Sequence, residues 1–329
     1  MLEWINEFGE IASLRNWYAL LLPHWALFLP AVVTVARWEP RAAECLLVFT
    51  AWLALACVTL TANHRYFAHG AFKTTRTGRA LLACVACLGL QYGPMWWSSK
   101  HRKHHRFCDQ RGDPHSWRRT SWWYAWFGWI CAVEERQIDT AFVHPSMFVD
   151  AASEAWSPPA WLAPLQGSAG GTLVAPAAAA EGGAPPARVI APELLLVDRL
   201  WFLPSLLVYL GMTLGLGASQ RTAFFYFVGP SLCLPLAVLL FNIAFHPPPG
   251  PPSSRGCGAL DSVLDPLAVL LGESAHEDHH YVPSRIKRPS PLPGDVDLCY
   301  TAILLPLLKL GVIWDPHFGP PARRLSKGH

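Results

Sequence analysis

Apolar residues along this chain gather into long unbroken runs instead of alternating with polar ones, and the runs set the first expectation. A transmembrane helix needs about 20 mainly apolar residues, and four segments reach that length: residues 17–35, 43–62, 200–217 and 223–244. They predict an all-α membrane protein with four transmembrane helices in two hairpins, 17–62 and 193–246, beneath a cytosolic helical cap. A fifth apolar stretch, 79–97, is long enough to span but carries Gln91, Gly93 and Pro94 near its end. Each hairpin returns the chain to the side it left, so His64 and His246 face one compartment. A spanning 79–97 would strand residues 101–105 opposite them, so a re-entrant or surface-lying helix is expected there.

The remaining boundaries follow from these runs. Residues 1–16 form an N-terminal cytosolic segment, 63–150 a cytosolic or interfacial region, and 247–329 a cytosolic C-terminal region. Between them, 151–192 reads as a flexible insertion, because 166–187 is nearly all Ala, Gly and Pro and cannot bury a core. The start of the chain carries Glu3, Glu7 and Glu10 in place of a basic leader, so no cleaved secretory peptide is expected.

Composition narrows the class. The chain of 329 residues is 52% hydrophobic and only 15% charged, against about 25% charged in ordinary soluble domains. A net charge of +3 with no long basic run gives no footing for nucleic acid. Ten Lys and Arg residues lie between 73 and 119, whereas the hairpin turns hold only Arg37, Arg41 and Arg221. That asymmetry assigns the large polar side to the cytosol or its topological equivalent. Nine cysteines are too sparse and irregular for a disulfide scaffold, and Cys45, Cys57, Cys84, Cys87 and Cys233 fall in apolar runs as reduced core thiols. Cys84 and Cys87 have redox spacing without a second pair, so packing is the expected role.

Histidine supplies the candidate chemistry. His64 and His69 enclose Arg65-Tyr66-Phe67-Ala68; His101, His104 and His105 form one H-x-x-H-H, and His276, His279 and His280 form another. At this histidine content one such motif is expected by chance in about 0.03 chains of this length, so two exclude accident. On an α-helix the three rings of each H-x-x-H-H converge within about a third of a turn. His64 and His69 are five residues apart, an advance of about 140°, so their rings should diverge toward separate metal ions. Asn242 and His246 share a helix face at the end of the last long apolar run. Neutral imidazoles with few carboxylates suit Fe, Zn or Cu over Mg or Ca, and nine are enough for two ions with four or five ligands each.

These residues resemble the membrane fatty-acid desaturases of the stearoyl-CoA type. The likeness rests on H-x4-H and two H-x-x-H-H boxes, with support from the sequence 63–69, from Gly112-Asp113-Pro114-His115-Ser116, from Gly272-Glu273-Ser274 and from Leu310-Gly311-Val312-Ile313-Trp314. The resemblance implies a di-iron centre that uses O2 and two externally supplied electrons to place a cis double bond in a long acyl chain. It implies one iron on His64, His105, His246, His276 and His280, and the other on His69, His101, His104 and His279, with Asn242 reaching it through a water. The implied substrate is an acyl-CoA or acyl-lipid, the donor cytochrome b5 or a ferredoxin, and the setting the endoplasmic reticulum, with a plastid membrane as the alternative.

Some positions depart from the pattern. Where acyl-CoA members carry Arg-Lys after a Gly-Trp, this chain has Glu134-Glu135 after Gly128-Trp129, which argues against CoA recognition there unless Arg118, Arg119 or Lys103 substitutes. Trp126-Phe127 replaces a Ser-His, and Ile243 replaces a Ser. His246-Pro-Pro-Pro-Gly250 has only a superficial likeness to a haem motif, so no built-in haem is expected. His115 reads as a supporting residue beside the ligands, His24 as a packed histidine, and His144, His317 and His329 as surface positions. The Trp-rich stretch 117–129 would line an acyl tunnel or lie at the membrane interface. A di-iron hydroxylase is the alternative enzyme; a metal transporter and an inactive scaffold are the further alternatives.

Overall fold

The computed structural model describes residues 3–5, 11–13, 29–37, 41–132, 134–150, 188–248, 257–290 and 296–320. These are mostly helical. The helices are α1 (Ala42–Ala68), α2 (Arg76–Cys87), α3 (Pro94–Phe107), α4 (Pro192–Arg199), α5 (Leu203–Gly215), α6 (Gln220–Phe245), α7 (Pro266–Leu271), α8 (His276–Tyr281) and α9 (Cys299–Lys309), with short helical turns between them. Three two-stranded antiparallel ribbons complete the described structure. They pair β1 (Glu3–Ile5) with β2 (Ile11–Ser13), β3 (Lys73–Thr74) with β6 (Ile313–Trp314), and β4 (Phe148–Asp150) with β5 (Arg188–Ile190).

Two helices, α1 and α6, are long and apolar enough to cross a membrane. They contain the expected runs 43–62 and 223–244 and pack together through Trp52, Leu55, Ala56 and Leu234. Arg221 reaches Glu44 at their far ends. Within the run 200–217 only Leu203–Gly215 is helical. The chain bends by 70° between α4 and α5, where Pro204 opens the new helix, so α4 and α5 count as a third span only if the bent pair is taken as one. Of the expected first span, only 29–35 lies within the described residues, and it is helical. The expected insertion lies outside them apart from 188–192, where Arg188–Ile190 pairs with Phe148–Asp150.

The stretch 79–97 breaks as its polar residues require. Thr75 caps α2 by accepting from the Gly78 N–H at 3.0 Å, the helix ends at Cys87, and α3 begins afresh at Pro94, a residue suited to a first helical turn. Asp198 of α4 caps α3 from across the fold, accepting from the Met95 N–H at 2.7 Å and the Trp96 N–H at 3.4 Å. A Cβ at Gly93 would run into Asp198, so glycine permits this approach. The cap fixes the start of the helix that carries three of the histidines.

Candidate metal centre

α1 does not end as a regular α-helix. Its last eight residues, Thr61–Ala68, form a π-helical turn, whose i→i+5 hydrogen bonding brings residues five apart close together. His64 and His69 therefore do not diverge by 140°; their ring centroids lie 5.0 Å apart. Helix α3 presents His101, His104 and His105, α8 presents His276, His279 and His280, and His246 follows the last residue of α6.

The rings meet in two adjoining groups. In the first, ligand nitrogens of His64, His69, His101, His105 and His279 lie within 4.8 Å of one another. Close Nε2 to Nε2 pairs run through it: His64 to His279 at 2.9 Å, His69 to His101 at 2.9 Å and His101 to His105 at 3.0 Å. In the second, His104, His246 and His280 converge within the same distance, and His276 Nε2 lies 2.9 Å from His246 Nε2. The two H-x-x-H-H boxes are thus used in opposite senses. α3 gives its first and third histidines to the first group and His104 to the second; α8 gives His279 to the first and its first and third to the second. This grouping departs from the partition implied by the resemblance, which set His64 and His105 with His246 and set His104 with His69.

The residues fit a pair of transition-metal ions. Two ligands about 2.1 Å from a metal and at right angles have nitrogens about 3 Å apart, which is the spacing of the Nε2 pairs. His280 Nε2 is buried with no hydrogen-bond partner, as a nitrogen reserved for a metal would be. Burial, and then neighbouring charged groups, hold His69, His101, His105, His276, His279 and His280 well below the usual histidine range, so these rings are neutral donors.

The outer nitrogens are held by the fold. His104 Nδ1 faces both oxygens of Asp113 at 3.0 and 3.1 Å; burial disfavours the charged ring, but Asp113 outweighs it and raises the pKa. His64 Nδ1 lies 3.2 Å from Glu273. Burial alone would raise that carboxyl, but His64, Arg288 and Arg65 outweigh it and hold it at about 2. Arg288 contacts His279 Nδ1. His246 Nδ1 lies 3.6 Å from Asp109 and from Cys108 Sγ. The carboxylates, as acceptors of Nδ1–H, set ring orientation and tautomer; Arg288, which only donates, does not.

Asp297, absent from the sequence-based expectations, is the buried anchor of this shell: it binds Arg65 and accepts from the Arg288 and Tyr300 N–H groups at 3.1 and 2.9 Å. Gly272 ends α7 in the left-handed region (φ 74°), and a Cβ there would strike the same carboxylate. The Asp-Val-Asp at 295–297 carries no motif that singles it out.

A cleft with about 580 Å³ of space, counted with its open mouth, borders His64, His101, His115 and His276. Trp96, Trp97, Trp129, Ile130, Leu239 and Phe241 form its apolar wall, while His64, His101, His276, Asn242 and Glu273 stand at its polar end. Trp129 stacks on Trp96 at 5.5 Å and is buried; Trp123 is exposed, so the Trp-rich stretch both lines the cavity and faces outward. His115 stacks on His104 at 4.4 Å, and burial followed by His104 pushes its pKa down to about 3. His144 is half-buried against Gly70, not a surface group, with its pKa lowered by burial to about 4; His317 is exposed. His24 and His329 lie outside the described residues.

One charge expectation and one cysteine expectation change. Glu135 is no open negative patch: its carboxylate binds the buried Lys100 Nζ at 2.6 Å, which leaves Glu134 as the exposed member of the pair. Cys108 and Cys257 form a disulfide across 149 residues, which their irregular spacing did not reveal. The cysteines of the apolar runs, Cys84 and Cys87 among them, are free.

The chain is 37% identical over 102 residues to a hex-5-enoyl-(acyl-carrier protein) acetylenase of Moorena producens, covering 28% of this chain and 32% of that protein. It is 42% identical over 67 residues to delta-9 acyl-lipid desaturase 2 of Arabidopsis thaliana, covering 20% and 22%. With an acyl-CoA delta-12 desaturase of Tribolium castaneum it shares 34% over 98 residues, 29% and 27% of the two chains. The matched part thus spans about a third or less of the length of these curated relatives. No protein-family model matches the chain. The chain is thus similar in part to acyl-CoA and acyl-lipid desaturases, and its histidine groups could hold metal.

Proposed function

We propose that the protein is a membrane-bound fatty-acid desaturase that places a cis double bond in a long acyl chain, with a di-iron centre held by His64, His69, His101, His104, His105, His246, His276, His279 and His280. One observation supports this reading: two adjoining groups of imidazoles lie together, and His64, His101 and His276 among them line an apolar, aromatic-walled cleft. When bound, two irons would supply O2 activation with two electrons from an outside donor, cytochrome b5 or a ferredoxin.

The chain's own residues do the rest. Trp96, Trp97, Trp129 and Leu239 hold the acyl chain and exclude water from the site. The indole N–H of Trp97 donates to Gln91 Oε1 at 3.2 Å, and its ring stacks on His101 at 4.6 Å, so the wall and a ligand are fixed together. Asn242 lines the cavity beside His276 and His64, a position suited to reach a metal through a water. Asp113 keeps Nδ1 of His104 occupied and turns its Nε2 inward, and Glu273 stands 3.2 Å from Nδ1 of His64. The delta-9 regiochemistry of the stearoyl-CoA type, four spans in two hairpins, the cytosolic and insertion boundaries, and an endoplasmic reticulum or plastid setting belong to this proposal. The relatives described above are named desaturases or acetylenase, which favours desaturation over hydroxylation.

Expression in a desaturase-deficient yeast with a full fatty-acid profile tests the proposal. A new monounsaturated acyl chain, located by dimethyl disulfide adducts, is expected; a hydroxylated product, or none in cells whose purified protein carries iron, would overturn it. Recovery of the product first in the CoA pool or first in the lipid pool identifies the carrier.

A further inference from the structure

The Cys108–Cys257 pair lies against the histidine cluster. Cys108 directly follows α3, the helix of His101, His104 and His105, and Cys257 follows the last residues of α6 and His246 by eleven positions. Cys108 Sγ is 3.6 Å from His246 Nδ1, and Cys257 Sγ is 3.6 Å from His280 Nδ1. Asp109 continues the arrangement. It accepts from the Gly258 N–H at 2.8 Å and from the Ser116 hydroxyl at 2.8 Å, and it lies 3.6 Å from His246 Nδ1. Cys108, Asp109, Cys257 and His246 are all buried.

A separate cleft reaches this place from outside. Cys108, Cys257, His105, His280, Gln110 and Glu277 line it, and it encloses about 800 Å³ including its mouth. It is distinct from the aromatic cavity, which shares none of these residues.

We infer that Cys108 and Cys257 form a redox-modified clasp which, when closed, positions His246 and His280 of the second histidine group for metal, and when reduced loosens them. The inference rests on the proposed metal centre. In the closed form the two sulfurs accept from ring Nδ1–H groups, which fixes the tautomer that leaves both Nε2 atoms for a metal. Reduction breaks the Sγ–Sγ bond: a dithiol supplies two electrons and two protons, leaves as its own disulfide, and Cys108 and Cys257 become thiols. The covalent tie between the end of α3 and the segment after α6 is then gone, and the unbonded sulfurs need more room beside both rings. On the cytosolic side assigned by the Lys and Arg asymmetry, thiols are kept reduced, so the clasp closes only under oxidising conditions.

The test uses the full-length detergent-solubilised protein and cobalt(II) as the metal probe. Peptide mapping should find a Cys108–Cys257 linkage that dithiothreitol removes and air restores. Cobalt affinity, measured after the reductant is removed without air, should fall about tenfold in the reduced protein and recover on reoxidation, with a changed ligand-field spectrum. Cys108→Ser/Cys257→Ser should match the reduced protein in both states. Linked peptides with equal affinity in both states would overturn the clasp and leave the metal centre standing. Linked peptides with no cobalt bound in either state would overturn the proposed function, and the clasp with it. Absence of the linkage under oxidising conditions, or a thiolate-to-cobalt charge-transfer band on reduction, would overturn the clasp alone.

Discussion

Arg65 and Asp297, 232 residues apart in sequence, form a two-pronged ion pair with both N to O distances at 2.9 Å and neither side chain open to solvent. Arg65 sits between His64 and His69, and its other donors reach the carbonyl oxygens of Ile286 and Leu271 at 2.8 and 3.0 Å. The pair therefore ties the first histidine motif to the segments on either side of the third. Removing one member of a buried ion pair leaves the other uncompensated and costs about 3–5 kcal/mol. Asp297→Ala is expected to lose that much stability in detergent, measured by chemical denaturation, and to lose metal from both histidine groups. Unchanged stability would show that Arg65 finds another partner.

His104 and Asp113 offer a sharper separation of roles. His104→Ala removes a direct donor and should abolish turnover while membrane insertion persists. Asp113→Asn keeps the donor but loses the carboxylate on its Nδ1, so metal affinity should fall about 10–100-fold with the chain still folded. Equal affinity in Asp113→Asn and the unmodified protein would remove Asp113 from the site.

Six imidazoles, the buried His69, His276 and His279 and the part-buried His101, His105 and His280, are held by desolvation well below the usual histidine range in the fold. In the unfolded chain they titrate near 6.5, so unfolding takes up protons as the pH drops. Their contribution to stability is present above that value and is lost as pH falls below it. His104, whose pKa is raised, acts in the opposite direction but is one group against six. The melting temperature of the metal-free protein should decline from about pH 7 to about pH 5. A flat or rising profile would mean that these rings are open to water.

Lys100 and Glu135 make a different kind of pair, because the Lys100 amine borders the aromatic cavity. Glu135→Ala and Lys100→Ala each strand a buried polar partner and should cost about 1–3 kcal/mol, whereas Lys100→Met with Glu135→Met should cost less than the two singles combined. Additive losses, measured by thermal unfolding, would show that the two groups do not depend on each other.

What could be read from the sequence was local. The apolar runs of α1 and α6 and the spacing of both H-x-x-H-H boxes are properties of neighbouring residues, and they located the long helices and the histidines that the fold brings together. The His64 to His69 geometry was not legible, because α-helical spacing was assumed where the chain winds into a π-turn. The 70° bend falls at 200–202, at the very start of the apolar run 200–217, where hydropathy alone does not show it, although Pro204 marks its far side. The Arg65–Asp297 pair and the Cys108–Cys257 bond act across 232 and 149 residues, and no spacing rule announces them. Spacing alone did not show how each box divides its histidines, since convergence on one helix side does not say which ring turns to which neighbour; the family resemblance implied a division, and its split of the α8 box, His279 apart from His276 and His280, matches the grouping whereas its split of the α3 box does not.

The most direct test is the metal content of the purified full-length chain after anaerobic loading with ferrous iron and removal of the excess, read by mass spectrometry of the metal. Two irons per chain are expected, falling toward one in His104→Ala. A chain that retains no iron, or retains the same amount when His104 is removed, would contradict a di-iron centre built on these nine histidines.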